Sequence, residues 1–381
     1  MGAILVNIAI TDVNDNPPVF QNVMYNTSVV EGANQDTRVL TVSATDADST
    51  SADITYSIIS GGDNRFVIGP TDGRITVAGA LDRETKAGYT VTVRASDGSL
   101  SSTATVAISV LDVNDNSPIF TEVVYSFTLP EDTIAPSVVD RVLATDLDEG
   151  SNGEVRYQIV EEGAPGEAIF DLNPLTGELM LVQAVDFEVK QLYYLKIRST
   201  DQGQPPLTSV SVIYINVLDV NDNSPSFSHE PDIVEVREDA DIGFQLVTVL
   251  ATDQDSGPNG AIQYTIQSGD PTGRFTILAN GTVVVERPLD RETQSFYNLE
   301  VRGEDMAEDP QDRRFSTTQV PVILVDVNDN DPVFISPPEI HVLESAAPGS
   351  FVMKVIAEDL DVARNSYIEY KFEPALEDES F

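Results

Sequence analysis

The chain has 381 residues, 41% of them hydrophobic, and carries 63 Asp and Glu against 21 Lys and Arg for a formal net charge of −42. That length suits two to four domains, and the charge excludes a nucleic-acid binder, whose phosphate contacts need a basic face. What remains is a solvating acidic protein, a halophile protein or a binder of many cations; Val, Ile, Thr, Tyr and Phe recurring in alternation argue against disorder.

In chain order, the apolar start at residues 1–10 lacks the basic residues of a secretion signal, and Asn7 interrupts it. The pentapeptide Asp12-Val13-Asn14-Asp15-Asn16 follows, then Pro18-Val19-Phe20. Glu31 comes next, and fifteen residues later Asp46-Ala47-Asp48. A turn at Asp72-Gly73 separates two β-rich runs, as a hairpin requires. Nine residues beyond that Gly begins Asp82-Arg83-Glu84, and Asp97 ends a later strand. Val106, Ile108 and Val110 then alternate with polar positions, which marks a strand with one buried face.

The pentapeptide now returns, at 112–116, and again at 219–223 and 326–330. The features between return with it. The second period holds Glu131, Asp146 and Asp148, Thr176-Gly177, Asp186-Phe187-Glu188, Asp201, and the alternation Ile213, Ile215, Val217. The third holds Glu238, Asp253 and Asp255, Asn280-Gly281, Asp290-Arg291-Glu292, Asp305, and Val320, Val322, Leu324; beyond it come Glu344, Asp359 and Asp361. A spacing of 100–107 residues is a whole domain rather than a solenoid turn. Short strands, frequent turns and weak helical periodicity predict an all-β chain of tandem β-sandwiches with Greek-key connections. The expected boundaries are 17–116, 117–223 and 224–330, with the last strand and linker of another repeat in 1–16 and the first half of one in 331–381, a half expected to fold poorly alone.

Taken singly, each acidic signature has a bland explanation, since Asp and Asn build turns by bonding their own backbone. Four kinds of signature repeated in register change that balance. Neighbouring like charges repel by roughly 1–4 kcal/mol per pair at surface dielectrics, and few Lys or Arg stand near them in the sequence, so a hard divalent cation is expected to gather them. Calcium takes 6–8 oxygens from carboxylates, Asn side chains and carbonyls; zinc would want His or Cys, and the chain has only His229 and His341 and no Cys. An EF-hand is rejected, because the twelfth position counted from Asp146 is Tyr157 and from Asp253 is Tyr264, where a Glu is required.

Together these motifs resemble the cadherin repeat over the whole chain, nearer to the Fat, Dachsous and protocadherin groups than to type I cadherins, which use a Trp that this chain lacks. The resemblance implies seven-stranded, immunoglobulin-like sandwiches in a rod, with about three calcium ions at each complete joint. It implies ligands Glu31, Asp82, Glu84, Asp112, Val113, Asn114, Asp115, Asn116, Asp146, Asp148, Asn152 and Asp201 at the first complete joint, Val113, Asn116 and Asn152 through carbonyls. At the second it implies Glu131, Asp186, Glu188, Asp219, Val220, Asn221, Asp222, Asn223, Asp253, Asp255, Asn259 and Asp305, with Phe187 departing from the usual central Arg. At the third it implies Glu238, Asp290, Glu292, Asp326, Val327, Asn328, Asp329, Asn330, Asp359, Asp361 and Asn365, the final Asp falling beyond Phe381. At 12–16 only the lower ligands Asp46, Asp48 and Asp97 are carried over.

The function so implied is calcium-dependent adhesion at the extracellular side of the plasma membrane, through a cadherin on an apposed cell, homophilic or heterophilic. The full-length protein would be anchored by a transmembrane helix absent here. The alternative is a passive calcium-stiffened stalk or a segment of a planar-polarity receptor. No enzyme is expected, since an active site usually occurs once whereas these carboxylates recur; nor is a small-molecule substrate. Two glycosylation sequons, Asn26-Thr27-Ser28 and Asn280-Gly281-Thr282, suit secretion.

Overall fold

The computed structural model describes residues 4–49, 53–162 and 168–372. Two compact units divide the chain, one comprising Met1–Asp186 and Lys190–Val217, the other Phe187–Val189 and Leu218–Phe381. The first unit holds two sandwiches and the second holds one.

The first sandwich comprises β1 (Val19–Phe20), β2 (Met24–Val30), β3 (Arg38–Thr41), β4 (Ala44–Thr45), β5 (Thr55–Ser60), β6 (Phe66–Ile68), β7 (Arg74–Val77), β8 (Gly88–Ser96) and β9 (Ser101–Leu111). One sheet runs β2-β9-β8-β5; the other runs β3-β7-β6, with β1 paired to β4. The chain thus begins in one sheet and crosses to the other, where β2 lies parallel to β9 while every other ladder is antiparallel. This shared opening strand gives the Greek-key sandwich its closure.

The same plan recurs. The second sandwich has β10 (Ile119–Phe120), β11 (Val124–Pro130), β12 (Ser137–Arg141), β13 (Ala144–Thr145), β14 (Arg156–Glu162), β15 (Phe170–Leu172), β16 (Glu178–Leu181), β17 (Leu192–Thr200) and β18 (Thr208–Leu218). The third has β19 (Ser226–Phe227), β20 (Val234–Arg237), β21 (Gln245–Thr248), β22 (Ala251–Thr252), a single helical turn α1 (Gly257–Gly260), β23 (Ile262–Ser268), β24 (Phe275–Ile277), β25 (Thr282–Val285), β26 (Phe296–Asp305) and β27 (Phe315–Val325). Beyond it, β28 (Val333–Phe334) pairs with β29 (Ala357–Glu358), and large side chains such as Phe351 and Tyr367 stay more than 80% exposed. Residues 373–381, part of the half-repeat expected at 331–381, lie outside the described residues.

The cores follow the predicted alternation. Val106, Ile108 and Val110 on β9, Ile213, Ile215 and Val217 on β18, and Val320, Val322 and Leu324 on β27 are all buried. Each such side chain removed from water contributes about 1.5–3 kcal/mol. An edge-on Phe–Tyr pair locks each core: Phe66 with Tyr89, Phe170 with Tyr193 and Phe275 with Tyr297, ring centroids 5.0–5.3 Å apart.

Two devices aim the Asp-X-Asp segments. The loop between β6 and β7 ends at Gly73, whose backbone carbonyl accepts the Val42 N–H at 2.9 Å. Its φ is +64°, and a Cβ there would stand 2.2 Å from the Val42 carbonyl oxygen, so only Gly fits. Gly177 (φ +71°) meets Val142 and Gly281 (φ +81°) meets Val249 in the same way. Two residues on, the Tyr56 hydroxyl accepts the Ala44 N–H at 2.9 Å, a contact repeated by Tyr157 with Ala144 and Tyr264 with Ala251. The kinked strand is thereby pinned on both sides of its break, just ahead of Asp46, Asp146 and Asp253. The two tyrosines that rule out an EF-hand have this structural task.

Candidate metal centres

Glu31 follows β2 directly and is only 3% exposed. One carboxylate oxygen accepts the Arg83 N–H at 2.6 Å, the other the Val113 N–H at 2.7 Å, so it ties the triplet loop to the linker. Glu238 does the same with Arg291 and Val327, at 2.8 and 2.7 Å. Glu131, after β11, is likewise buried. A carboxylate holding two backbone donors is a charge-assisted clamp.

The linker residues divide the remaining work. The first Asp of the pentapeptide receives an amide from the following repeat: Asn152 to Asp112 and Asn259 to Asp219 at 2.8 Å, Asn365 to Asp326 at 2.9 Å. The resemblance implied a carbonyl role for Asn152; its side chain here also orients the linker carboxylate, as do those of Asn259 and Asn365. The central Asn114 donates to both oxygens of Asp201 at 3.3 Å and to the Pro205 carbonyl at 2.6 Å, and Asn221 donates to Asp305 and to the Asp312 carbonyl. Asn328 is exposed. The last Asn donates to the second Asp of Asp-X-Asp: Asn116 to Asp148 and Asn223 to Asp255 at 2.7 Å, Asn330 to Asp361 at 2.8 Å. That Asp in turn donates its backbone N–H to the first, Asp146, Asp253 or Asp359, at 3.0–3.1 Å.

The joint at 12–16 is built the same way. Asn16 donates to Asp48 at 2.6 Å, Asp46 accepts the Asp48 N–H, and Asp12 accepts the Ser49 N–H at 2.7 Å. Asp12 and Asn16 thus make the contacts of their counterparts at the later joints, and the Asn14 side chain bonds Asp97, although none of the three is in the expected ligand set.

These contacts bring carboxylate oxygens within 4.8 Å of one another in groups of three: Glu31, Glu84 and Asp112; Glu84, Asp115 and Asp148; Glu188, Asp222 and Asp255; Glu238, Asp290 and Glu292. Of the residues expected at the second complete joint, Glu131 and Asp186 belong to the first unit and Glu188, Val220, Asp222 and the rest to the second.

Burial pushes the Asp115 carboxyl up, and the charges of Glu31, Asp148, Asp82 and Asp112 push it the same way. Burial also raises Glu84, Asp146, Asp255 and Asp329, each with help from neighbouring carboxylates. Asp82 and Asp290 move down, because the backbone and hydroxyl of Thr85 and Thr293 donate to them. Asp97 is lowered by the Leu100 and Ser99 N–H groups.

One recurrent feature tests whether a cation fits. The Oδ1 atoms of Asn14, Asn114 and Asn221 and the Oδ2 atoms of Asp46, Asp146 and Asp253 are buried without a hydrogen-bond partner. A buried acceptor left so costs about 1–3 kcal/mol, and the same cost recurs at equivalent positions of successive joints. All are hard oxygen donors, the chemistry that calcium takes and zinc does not favour. The residues present fit a hard divalent cation.

The expectation that few basic groups stand near the clusters needs correcting. Arg83 lies beside Glu84 and Asp112, and Arg291 beside Glu292 and Asp326, both at 3.1 Å. Triplet order alone does not tell which way a long side chain reaches.

The family model described as Cadherin domain matches residues 25–111, 125–218 and 232–325, and the chain belongs to the cadherin family. Its relatives include proteins of the Fat type: it is 44% identical to human "Protocadherin Fat 4" over 96% of this chain, and 39% identical to the Drosophila melanogaster "Fat-like cadherin-related tumor suppressor homolog" over 86%. The match spans 7% of the length of each. Among solved structures, mouse cadherin-23 EC22–24 matches with a TM-score of 0.65 at 30% identity, covering 82% of this chain and all of that one. Cadherins are adhesion proteins and not enzymes. Among the described residues no helix is long and apolar enough to cross a membrane.

Proposed function

We propose that the chain is an extracellular adhesion segment whose repeats, 17–116, 117–223 and 224–330, are stiffened by calcium at their joints. Calcium supplies the positive charge that draws the joint carboxylates together. Glu31, Asp82, Glu84, Asp112, Asp115, Asp146, Asp148 and Asp201 would hold it at the first complete joint, about three ions in all. The equivalent sets around 219–223 and 326–330 would do the same, and Asn14 with Asp46, Asp48 and Asp97 would form a partial site. The protein's own residues do the positioning: Glu31 fixes the linker, Asn116 aims Asp148, and Asn114 bridges the linker to Asp201. The observation that carries this reading is the recurrence of buried, unpartnered Asn and Asp oxygens at equivalent positions.

Calorimetric titration of the chain with calcium in excess magnesium tests it. Uptake of several ions per chain at about 10⁻⁴–10⁻³ M supports the reading; no heat above that of dilution contradicts it. Adhesion follows as the biological use, with a cadherin on an apposed cell as partner and a membrane anchor elsewhere in the protein. Beads coated with the chain should aggregate in calcium and disperse in chelator if pairing is homophilic. Persistent dispersal would favour a heterophilic partner or a spacer role.

A further inference from the structure

The triplets that contribute Asp82 and Glu84, Asp186 and Glu188, and Asp290 and Glu292 differ in their central residue: Arg83, Phe187 and Arg291. At the first complete joint that residue does more than balance charge. The Arg83 side chain is only 13% exposed. Its guanidinium pairs with Glu84 of its own repeat and, through Nε, with Asp112 of the linker. Nη2 donates to the Leu147 carbonyl at 2.7 Å, and Nη1 stands 3.8 Å from Glu149, both in the following repeat. One planar, always-charged group therefore touches repeat, linker and next repeat at once. A guanidinium fork suits such multidentate bridging in a way that an ammonium does not.

Glu84 and Asp112 are also members of the carboxylate groups that gather at this joint. Accepting the calcium sites of the preceding section, the guanidinium and the metal claim the same oxygens. We infer that Arg83 is an intramolecular counter-ion that latches the joint when calcium is scarce and must release Asp112 and Glu84 for calcium to bind. Arg291 makes the corresponding contacts to Glu292 and Asp326. Phe187 carries no charge, so the joint it serves has no such competitor from its triplet. The joints of one chain thus differ in the calcium concentration at which they stiffen, according to one residue. Burial disfavours the Arg83 charge, yet Asp112, Glu84 and Glu149 hold its protonated form more firmly than usual.

The chain has no cysteine, so a spin-label pair at the exposed positions Thr90→Cys and Gln158→Cys reports distances across this joint alone. The distance distribution is measured in chelator and through a calcium titration, for the parent and for Arg83→Phe, which copies the second joint. Arg83→Phe should broaden the distribution in chelator and move the calcium midpoint about tenfold lower, as loss of a charged competitor of ordinary strength requires. Arg83→Gln serves if the Phe variant loses its circular dichroism signature. Unchanged width in chelator overturns the latch, and an unchanged calcium midpoint overturns the competition. A parent distribution blind to calcium contradicts the calcium reading instead, and leaves the chelator comparison to decide the latch on its own.

Discussion

Replacing Glu31 by Ala removes both acceptors that hold the Arg83 and Val113 N–H groups, 2.6 and 2.7 Å away at a position only 3% exposed. Each donor left unmade costs about 1–3 kcal/mol, and the two together predict a loss of about 2–6 kcal/mol. Glu31→Gln keeps one acceptor but turns an amide toward the other N–H, and should cost about 1.5–3 kcal/mol, the worth of one charge-assisted bond. Urea unfolding of the chain in chelator reads this structural part free of metal, with the transition of the first repeat followed by hydrogen exchange at Val91 and Val106. The same variants should weaken calcium uptake at the first complete joint, because carboxylate oxygens of Glu31, Glu84 and Asp112 lie within 4.8 Å of one another. If Glu31→Ala unfolds in chelator within about 0.5 kcal/mol of the parent, the clamp is not what holds the linker, and the positional argument for Glu31 fails.

Gly177→Ala forces a Cβ to within 2.3 Å of the Val142 oxygen at φ +71°; the second repeat should lose about 1–3 kcal/mol by differential scanning calorimetry, whereas Gly150→Ala, at similar φ with open space around it, should lose about 1 kcal/mol. Tyr157→Phe strips the hydroxyl from the Ala144 N–H and should destabilise the same repeat by about 1–2 kcal/mol. Protons and calcium compete for Glu84 and Asp115, whose carboxyls are pushed up by burial and by their acidic neighbours. Their protonated forms are favoured in the fold, so their contribution in chelator grows as pH falls through the raised values and is lost as pH rises. Asp82 and Asp97, held low, contribute above their unfolded values and lose that contribution as pH falls through the lowered ones. Calcium should therefore displace protons, and its apparent affinity should fall as pH is lowered through the raised carboxyl values; an affinity independent of pH down to the acid-unfolding limit would remove Glu84 and Asp115 from the ligand set.

The repeat, its period and its strands could be read directly, because a buried face imposes a two-residue period and a domain-length recurrence has few other causes. The buried sides of β9, β18 and β27 lie where the alternation of Val106, Ile213 and Val320 places them. Tyr56, Tyr157 and Tyr264 were legible too, 10 or 11 residues past the first Asp of each Asp-X-Asp, but the hydroxyl's task depends on a strand break that no local pattern reveals. Arg83 and Arg291 show the opposite limit, since a four-bond side chain can turn toward solvent or toward its neighbours, and only the packed joint decides. Asn14 and Asn16 carry the same motif as the later joints, but only the folded contacts show that they reach forward to Asp97 and Asp48 of the next repeat. The side-chain role of Asn152 was hidden by its loop, where spacing fixes proximity to Asp112 but not which atom faces it.

Small-angle scattering of the chain through a calcium titration tests the central claim most directly. The profile should sharpen toward that of a less flexible particle and saturate at about 10⁻⁴–10⁻³ M calcium, with chelator restoring the original curve. Superimposable profiles with calcium and with chelator would contradict it.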